Sequence, residues 1–484
     1  MYPAGKAADS RNIDRIAIEN GIPSLILMEN AAFSLYLETV KIIESFKPEK
    51  IVLFAGKGGN GGDGFALLRI LRDRGCSIPM NIVKFFELNE LKGDSLQNWK
   101  MLPSDISSTE MKKIKGRTLF IDGMVGTGLK NNLTGKIREA VSFINSYKDK
   151  YVLSIDVPTG LDSDKGIEMP EAVIADTTVT MGIYKTGLFA QNGPAACGKI
   201  VLGKISAVDA GTSDTKYAVV EDLIPEPLKI PVDSYKNRNG HCLVIGGDID
   251  KLGASLIAAR SFMASGGGLV TAAFEKSLHK KIAGLVPGMM LTDIETAEHQ
   301  LDRYSSIITG PGLTSWPFKE STLLKRFKGI IIADAGMFDL MNEKPEILSS
   351  LKKCKTVFTP HPGELKRFIS AKNDEPWIDC VERFPLEKTH VLVAKSHSTF
   401  IRNTESTVIV PHGAKALSFG GSGDALTGLL AFETFYNGFE KGCLRAVLRH
   451  RLAGIELEKR YSASYHSIEK LVELIGIAGT VYEK

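Results

Sequence analysis

Twice along this chain, short apolar runs of strand length alternate with amphipathic stretches of helix length, and this rhythm limits the possible folds more than any single motif does. In the first pass the apolar runs are residues 51–55, 118–121, 151–155 and 177–181, with helical patterns over 9–46, 65–74 and 136–146. In the second pass they are 242–245, 269–274, 307–309, 329–333, 356–359 and 390–394, with helical patterns over 254–265, 425–435 and 442–459. Apolar runs without polar alternation belong to strands buried on both faces. The expectation is therefore an α/β chain of parallel sheets covered by helices. A polar stretch over 209–239, with Pro225, Pro227 and Pro231, separates the two passes. A chain of 484 residues exceeds what one core usually fills. The boundary is placed near residue 215, giving domains over 1–215 and 222–484.

Composition narrows the function classes. A hydrophobic share of 43% with 24% charged residues is that of a soluble globular protein. The net charge of +4 is spread without a basic stripe, which argues against nucleic acid as a partner. No uncharged apolar run reaches the ~20 residues that cross a bilayer, and the opening M-Y-P-A-G-K lacks the apolar core of a secretion signal. Cys76, Cys197, Cys242, Cys354, Cys380 and Cys443 show no C-x-x-C spacing, so a zinc site or disulfide framework is not expected. The expectation from these features is a cytoplasmic protein with reduced thiols.

Two glycine-rich runs carry the chemistry. Gly420 to Gly428 read G-G-S-G-D-A-L-T-G, a small-residue turn opening an apolar helix with Asp424 near its start. Unpartnered N–H groups and the helix dipole there favour an anion. An acid beside a bound phosphoryl group can take the proton of an attacking hydroxyl; the plainer reading makes Asp424 a helix cap. Gly56 to Gly64 read G-K-G-G-N-G-G-D-G. This is not the dinucleotide G-x-G-x-x-G pattern with an acid about twenty residues on, and no Lys-Ser/Thr pair closes it as a phosphate loop. Asp63 suits a cap or a hydroxyl partner better than a phosphate. Asp122, before G-M-V-G-T-G-L, and Asp156, before V-P-T-G-L, also end apolar runs. Ligands of open parallel sheets lie beyond such ends. Asn60, Asp122 and Thr159 could converge there as oxygen ligands for a hard cation, or each could be an isolated cap.

Residues 1 to about 212 resemble the N-terminal domain of the NAD(P)H-hydrate epimerases, through I-P-S-L-I-L-M-E-N-A-A at Ile22 to Ala32, the Asn60-Gly-Gly-Asp-Gly loop, D-G-M-V-G-T-G-L and D-V-P-T-G-L-D. The fold implied is a Rossmann-like doubly wound sheet. The resemblance implies that Gly59, Asn60, Gly61, Gly62 and Asp63, with Gly126, Thr127, Gly128, Leu129, Lys130, Asn131 and Asn132, bind the damaged cofactor. It implies that Asn60, Asp122 and Thr159 hold potassium. It makes Asp156 both a substrate contact and the acid/base group at the ring carbon bearing the hydroxyl. Gly59 stands where the family usually has a second Asn, and Thr159 where Ser is usual.

Residues 222 to 484 resemble the ribokinase-like fold and, within it, the ADP/ATP-dependent NAD(P)H-hydrate dehydratases, through T-P-H-P-G-E-L at Thr359 to Leu365 and G-S-G-D-A-L-T-G. Ala254, Gly312, His361 and Asp424 would contact the hydrated dinucleotide. Lys395, Ser396, His397, Ser398, Thr399 and Gly423 would contact the nucleotide. This chain reads I-A-D-A-G where the family carries two acids, leaving Asp334 alone; Asp248 replaces a common Ser, and Ser396-His397 replace a glycine-rich stretch. The resemblance implies a metabolite repair enzyme, an isomerase fused to a lyase. It would epimerise the R and S forms of hydrated NADH or NADPH (NADHX and NADPHX). It would then dehydrate the S form with ADP, or ATP, as co-substrate and magnesium on the phosphates. A homo-oligomer acting on small molecules is expected. The rival readings are a ribokinase-class small-molecule kinase with an accessory nucleotide-binding domain, and a first domain that serves only as a nucleotide- or RNA-binding module.

Overall fold

The computed structural model describes residues 1–206, 216–220, 225, 231–318, 323–411 and 413–478. The chain divides into two units, Met1–Val219 and Val220–Lys484.

The first unit has strands β1 (Tyr2–Gly5), β2 (Lys50–Ala55), β3 (Met80–Lys84), β4 (Ser107–Ser108), β5 (Thr118–Gly123), β6 (Lys150–Ile155), β7 (Thr177–Met181), β8 (Tyr184–Lys185), β9 (Lys199–Gly203) and β10 (Tyr217–Val219). Its main sheet runs β4-β3-β2-β5-β6-β7-β9, every neighbouring pair parallel. β2 shows why these runs are uniformly apolar. Ile51, Leu53 and Ala55 face a layer with Phe65, Leu68 and Leu35. Val52 and Phe54 face the opposite layer with Phe120, Val141 and Ile144. β1 pairs with β10 antiparallel and with β8 in parallel.

The single helical pattern over 9–46 is two helices, Ala7–Glu19 and Ser24–Phe46. Gly21, at φ +93°, and Pro23 break it, because neither continues an α-helix at such a position. The Gly59–Asp73 helix begins within the glycine-rich run, six residues before its apolar pattern starts at Phe65. One of the glycines there is a steric requirement: a Cβ at Gly61 would lie 2.0 Å from the Gly56 carbonyl oxygen, whereas one at Gly59 would meet nothing within 4 Å.

The second unit has β11 (His241–Ile245), β12 (Leu269–Ala273), β13 (Met289–Thr292), β14 (Ser306–Thr309), β15 (Ile330–Ala333), β16 (Lys355–Phe358), β17 (His390–Ala394), β18 (Thr399–Arg402) and β19 (Thr407–Val410). They run in the order β13-β12-β11-β14-β15-β16-β17-β18-β19, parallel through β17 and antiparallel after it. The Ser422–Tyr436 helix packs on the Leu252–Ala264 helix so closely that a Cβ at Gly428 would lie 2.2 Å from the Ala258 carbonyl oxygen. The last glycine of G-S-G-D-A-L-T-G is thus a packing residue, while its acid is not. Among the described residues, no helix is long and apolar enough to cross a membrane.

Candidate active sites

In the first unit the strand order reverses between β2 and β5, and the crevice beyond their carboxyl ends is where such a sheet takes its ligand. Asp122 lies in β5, 1% exposed. Its carboxylate accepts from Ser154 Oγ at 3.0 Å, Thr159 N at 2.8 Å and Thr159 Oγ1 at 2.6 Å. The Thr159 hydroxyl in turn accepts from Val125 N at 3.0 Å. Asn60 sits in the first turn of its helix and donates from Nδ2 to the Ile155 carbonyl at 2.7 Å. Its amide abuts Gly126, where a Cβ would lie 2.5 Å from it. Asn60, Asp122, Thr159 and Gly126 therefore meet in one corner rich in oxygen. Burial pushes the Asp122 carboxyl up, and the donors from Thr159, Ser154 and Met124 oppose that. An amide, a carboxylate and a hydroxyl form the donor set of a hard cation, whose charge would favour the ionised form.

Asp156 follows β6, buried, with φ +65°. Left-handed backbone at a residue other than glycine costs on the order of 1 kcal/mol and persists where the surroundings impose it, most often at functional sites. Here Asp156 N donates to the Val179 carbonyl at 2.8 Å. Asp156 Oδ1 accepts from Thr180 Oγ1 at 3.2 Å, Met181 N at 3.1 Å and Lys185 Nζ at 2.6 Å. Asp63 is half-buried; burial pushes its carboxyl well up, and the charges of Asp156 and Asp14 add to this while Lys185 opposes it. Gly59, Gly61 and Gly62 lie in the same helical turn. Beyond Gly126, Thr127 and Leu129 are half-buried, whereas Gly128, Lys130, Asn131 and Asn132 stand exposed on the outer part of their loop, with no described contact to this corner.

In the second unit the order reverses between β11 and β14. Ser255, next to Ala254 at the start of the Leu252–Ala264 helix, ties the two strand ends together: its Oγ accepts from Gly247 N at 2.9 Å and donates to the Pro311 carbonyl at 2.9 Å. Asp248 N donates to the Gly312 carbonyl at 3.1 Å, and Gly312 holds φ +74°. A cavity of about 680 Å³ opens beside them, lined by Gly246, Gly247, Asp248, Lys276, Lys281 and Leu313.

Further along the same sheet edge, Asp334 follows β15, 2% exposed, and accepts from Thr359 Oγ1 and Lys395 Nζ, each at 2.7 Å. Asp424 is the third residue of the Ser422–Tyr436 helix, whose N-cap Gly421 holds φ +97°. Burial pushes the Asp424 carboxyl up to about 7, with Asp334 and Glu364 adding and Lys395 opposing. Burial and then Asp334 likewise raise Glu364. His361 caps the Pro362–Phe368 helix: its Nδ1 accepts from Gly363 N at 3.0 Å and its backbone N–H donates to Glu364 Oε2 at 2.9 Å. Three carboxyls thus face one ammonium. A second cavity, about 330 Å³, is lined by Lys395, Ser396, His397, Thr399 and Gly423, together with His450. Ser398 is buried and does not line it. His450 Nε2 donates to the Ser422 carbonyl at 2.9 Å, and burial first, with Lys395 adding, pushes the imidazole down to about 4, so the ring there is neutral.

Two family models match the chain. Residues 24–187 match the YjeF-related protein N-terminus, and residues 242–475 match NAD(P)H-hydrate dehydratase. A bifunctional NAD(P)H-hydrate repair enzyme Nnr of Coxiella burnetii is 29% identical over 443 residues, covering 87% of each chain. One of Dictyoglomus turgidum is 27% identical over 491 residues, covering 93% of each. The chain belongs to the family of bifunctional NAD(P)H-hydrate repair enzymes. Among solved structures, an ADP/ATP-dependent NAD(P)H-hydrate dehydratase from Bacillus subtilis aligns at 22% identity over 52% of this chain and 93% of its own, with a TM-score of 0.43.

The two family matches fall one on each unit, so the Asp122–Asp156 crevice and the Asp334–Asp424 edge each lie within one match. Motif reading did not find four site residues. Glu364 lies inside T-P-H-P-G-E-L, where its sequence position is that of a plain helix-capping acid. Lys185 had one signal, a lone cation in the otherwise uncharged run M-G-I-Y-K-T-G-L. Asp14 and His450 sit in ordinary amphipathic helix patterns and carried none.

Proposed function

We propose that this protein repairs hydrated NADH and NADPH in two steps, one in each unit. The first unit interconverts the R and S epimers, with Asp156 giving and taking the proton at the hydroxyl-bearing ring carbon. The second unit acts on the S epimer. Asp424 removes the hydroxyl proton as that oxygen attacks the terminal phosphorus of ADP. AMP leaves, and the ring then expels phosphate and loses a proton to restore the double bond. The observation that carries this reading is the placement of Asp424: a carboxyl held near neutrality at the opening of a glycine-turned helix, beside an acid already neutralised by Lys395. A general base works best with a pKa near the working pH. Positioning and charge do most of the rest in phosphoryl transfer.

Asn60, Asp122 and Thr159 would hold potassium, which supplies positive charge at the substrate corner. Asp334 and Glu364 offer the oxygen donors that magnesium takes, and magnesium when bound shields the phosphates. Lys395, Ser396, His397, Thr399 and Gly423 would receive the nucleotide. Ala254, Gly312 and His361 would contact the hydrated dinucleotide in the second unit, as Gly59 to Asp63 and Gly126 to Asn132 would in the first. The kinase reading is not favoured, because the similarity to repair enzymes runs through both units. Incubation with mixed epimers and ADP or ATP tests the proposal. Complete return of reduced cofactor supports both activities, return of the S fraction alone removes the epimerase, and a stable phosphorylated product refutes the dehydratase.

A further inference from the structure

The reaction assigned to the first unit uses Asp156, but the nearest group to that carboxylate is a cation no motif singled out. Lys185 is the second residue of β8, with a side chain 1% exposed. Its Nζ donates to Asp156 Oδ1 at 2.6 Å and to the Met181 carbonyl at 2.7 Å. An ammonium this deeply buried is costly unless a carboxylate faces it. β1 pairs in parallel with β8, with Gly5 opposite Lys185. The Ala7–Glu19 helix follows β1 directly and is pinned at its start, where Ala7 N donates to Asp164 Oδ1 at 2.6 Å. That helix carries Asp14. The charged groups facing Asp156 are therefore Lys185 from β8, Asp14 from the first helix and Asp63 from the Gly59–Asp73 helix. One ammonium serves three carboxyls. Of these three it contacts Asp156, and burial raises the carboxyls of Asp14 and Asp63.

We propose that Lys185 is a positioning residue for epimerisation, holding the Asp156 carboxylate aimed into the crevice. This rests on the epimerase reading of the first unit. The geometry gives Lys185 two tasks. It fixes one carboxylate oxygen, leaving the other for substrate, and it supplies the charge that offsets Asp14 and Asp63.

The test is epimer exchange by the full-length protein, followed by chromatography across pH, for the unaltered chain and for Lys185→Met, Lys185→Arg and Asp14→Asn. Dehydratase turnover on pure S epimer and near-ultraviolet circular dichroism report folding. Lys185→Met should lower kcat at least about tenfold, a fraction of what acid–base groups typically contribute, with KM little changed. It should also move the acidic limb of the pH profile upward. Lys185→Arg should recover part of the rate. Asp14→Asn removes a like charge and should move the same limb downward. A purely structural lysine predicts no such opposed shifts. Unchanged kcat in Lys185→Met, or shifts of the same sign in Lys185→Met and Asp14→Asn, would overturn the inference. If Lys185→Met does not fold, the Arg and Asn variants decide it: an unmoved limb in both refutes it. If the unaltered chain does not exchange epimers at all, the epimerase reading has failed instead.

Discussion

Replacing Asp424 by Asn separates what this carboxyl does for catalysis from what it costs the fold. Its carboxyl is held at about 7 against an ordinary 3.8. At ~1.36 kcal/mol per pKa unit, ionising it in the folded state costs about 4 kcal/mol more than in the unfolded chain. Between pH 4 and 7 the folded form keeps a proton that the unfolded form loses, so this residue lowers stability progressively over that window and then by a constant amount above it. Asn removes the penalty. The second unit should therefore melt about 8–16 °C higher at pH 7, at roughly 2–4 °C per kcal/mol for a domain of this size, and show no gain at pH 3.5. Dehydration should fall about 10²–10⁴-fold, the range that a positioned acid–base group supplies. In the unaltered protein, turnover should drop as pH falls through about 7, approaching tenfold per pH unit below it, because only the ionised form accepts the hydroxyl proton. The assay is recovery of the near-ultraviolet absorbance of reduced nicotinamide from S epimer and ADP, alongside calorimetry across pH. An Asn variant within threefold of the parent rate, or a rate that stays flat from pH 8 to 5.5, would refute the argument.

Other consequences follow from the same contacts. Asp156→Asn should abolish epimer exchange while leaving dehydration of pure S epimer unchanged, read by chromatography and absorbance on one sample. Thr159→Ala removes one oxygen from the Asn60–Asp122 corner and should flatten the response of epimerisation to added potassium chloride, with dehydration as the internal control. Gly428→Ala forces a methyl group to 2.2 Å from the Ala258 carbonyl oxygen; overpacking of this kind costs about 1–3 kcal/mol, and the melting temperature of the second unit should fall accordingly.

Much of this arrangement was legible because it is local. A strand that ends in Asp122 or Asp334, a glycine turn before Asp424 and an apolar run without alternation each state their backbone requirement within a few residues. What the sequence hides is non-local or non-periodic. β3, β13 and β18 are short and carry polar residues such as Asn81, Thr292 and Arg402, so they show no clear apolar run. The start of the Gly59–Asp73 helix is obscured because glycines argue for a loop, whereas here they permit the first turn to lie against Gly56. Lys185 reaches Asp156 across 29 residues, and Asp14 joins them only because β1 pairs beside β8.

The two units solve one electrostatic problem in opposite ways. Each gathers three carboxyls around a single lysine at the carboxyl edge of a parallel sheet: Asp14, Asp63 and Asp156 around Lys185, and Asp334, Glu364 and Asp424 around Lys395. In the first unit the ammonium lies on the acid assigned to the chemistry, at 2.6 Å from Asp156. In the second it lies 2.7 Å from Asp334, a neighbour of the acid assigned to the chemistry. Among the described residues Asp424 has no direct cation, and burial, with Asp334 and Glu364 adding, lifts it to about 7 against the opposing charge of Lys395. A base that must accept a proton from an alcohol and later release it gains from being near neutrality. A carboxylate that must be held in one orientation beside two other carboxyls gains from a direct ion pair. The lysine therefore touches the acid assigned to the chemistry in one half and its neighbour in the other. Moving that cation, by Lys185→Met in one unit or Lys395→Met in the other, should shift the two pH profiles independently.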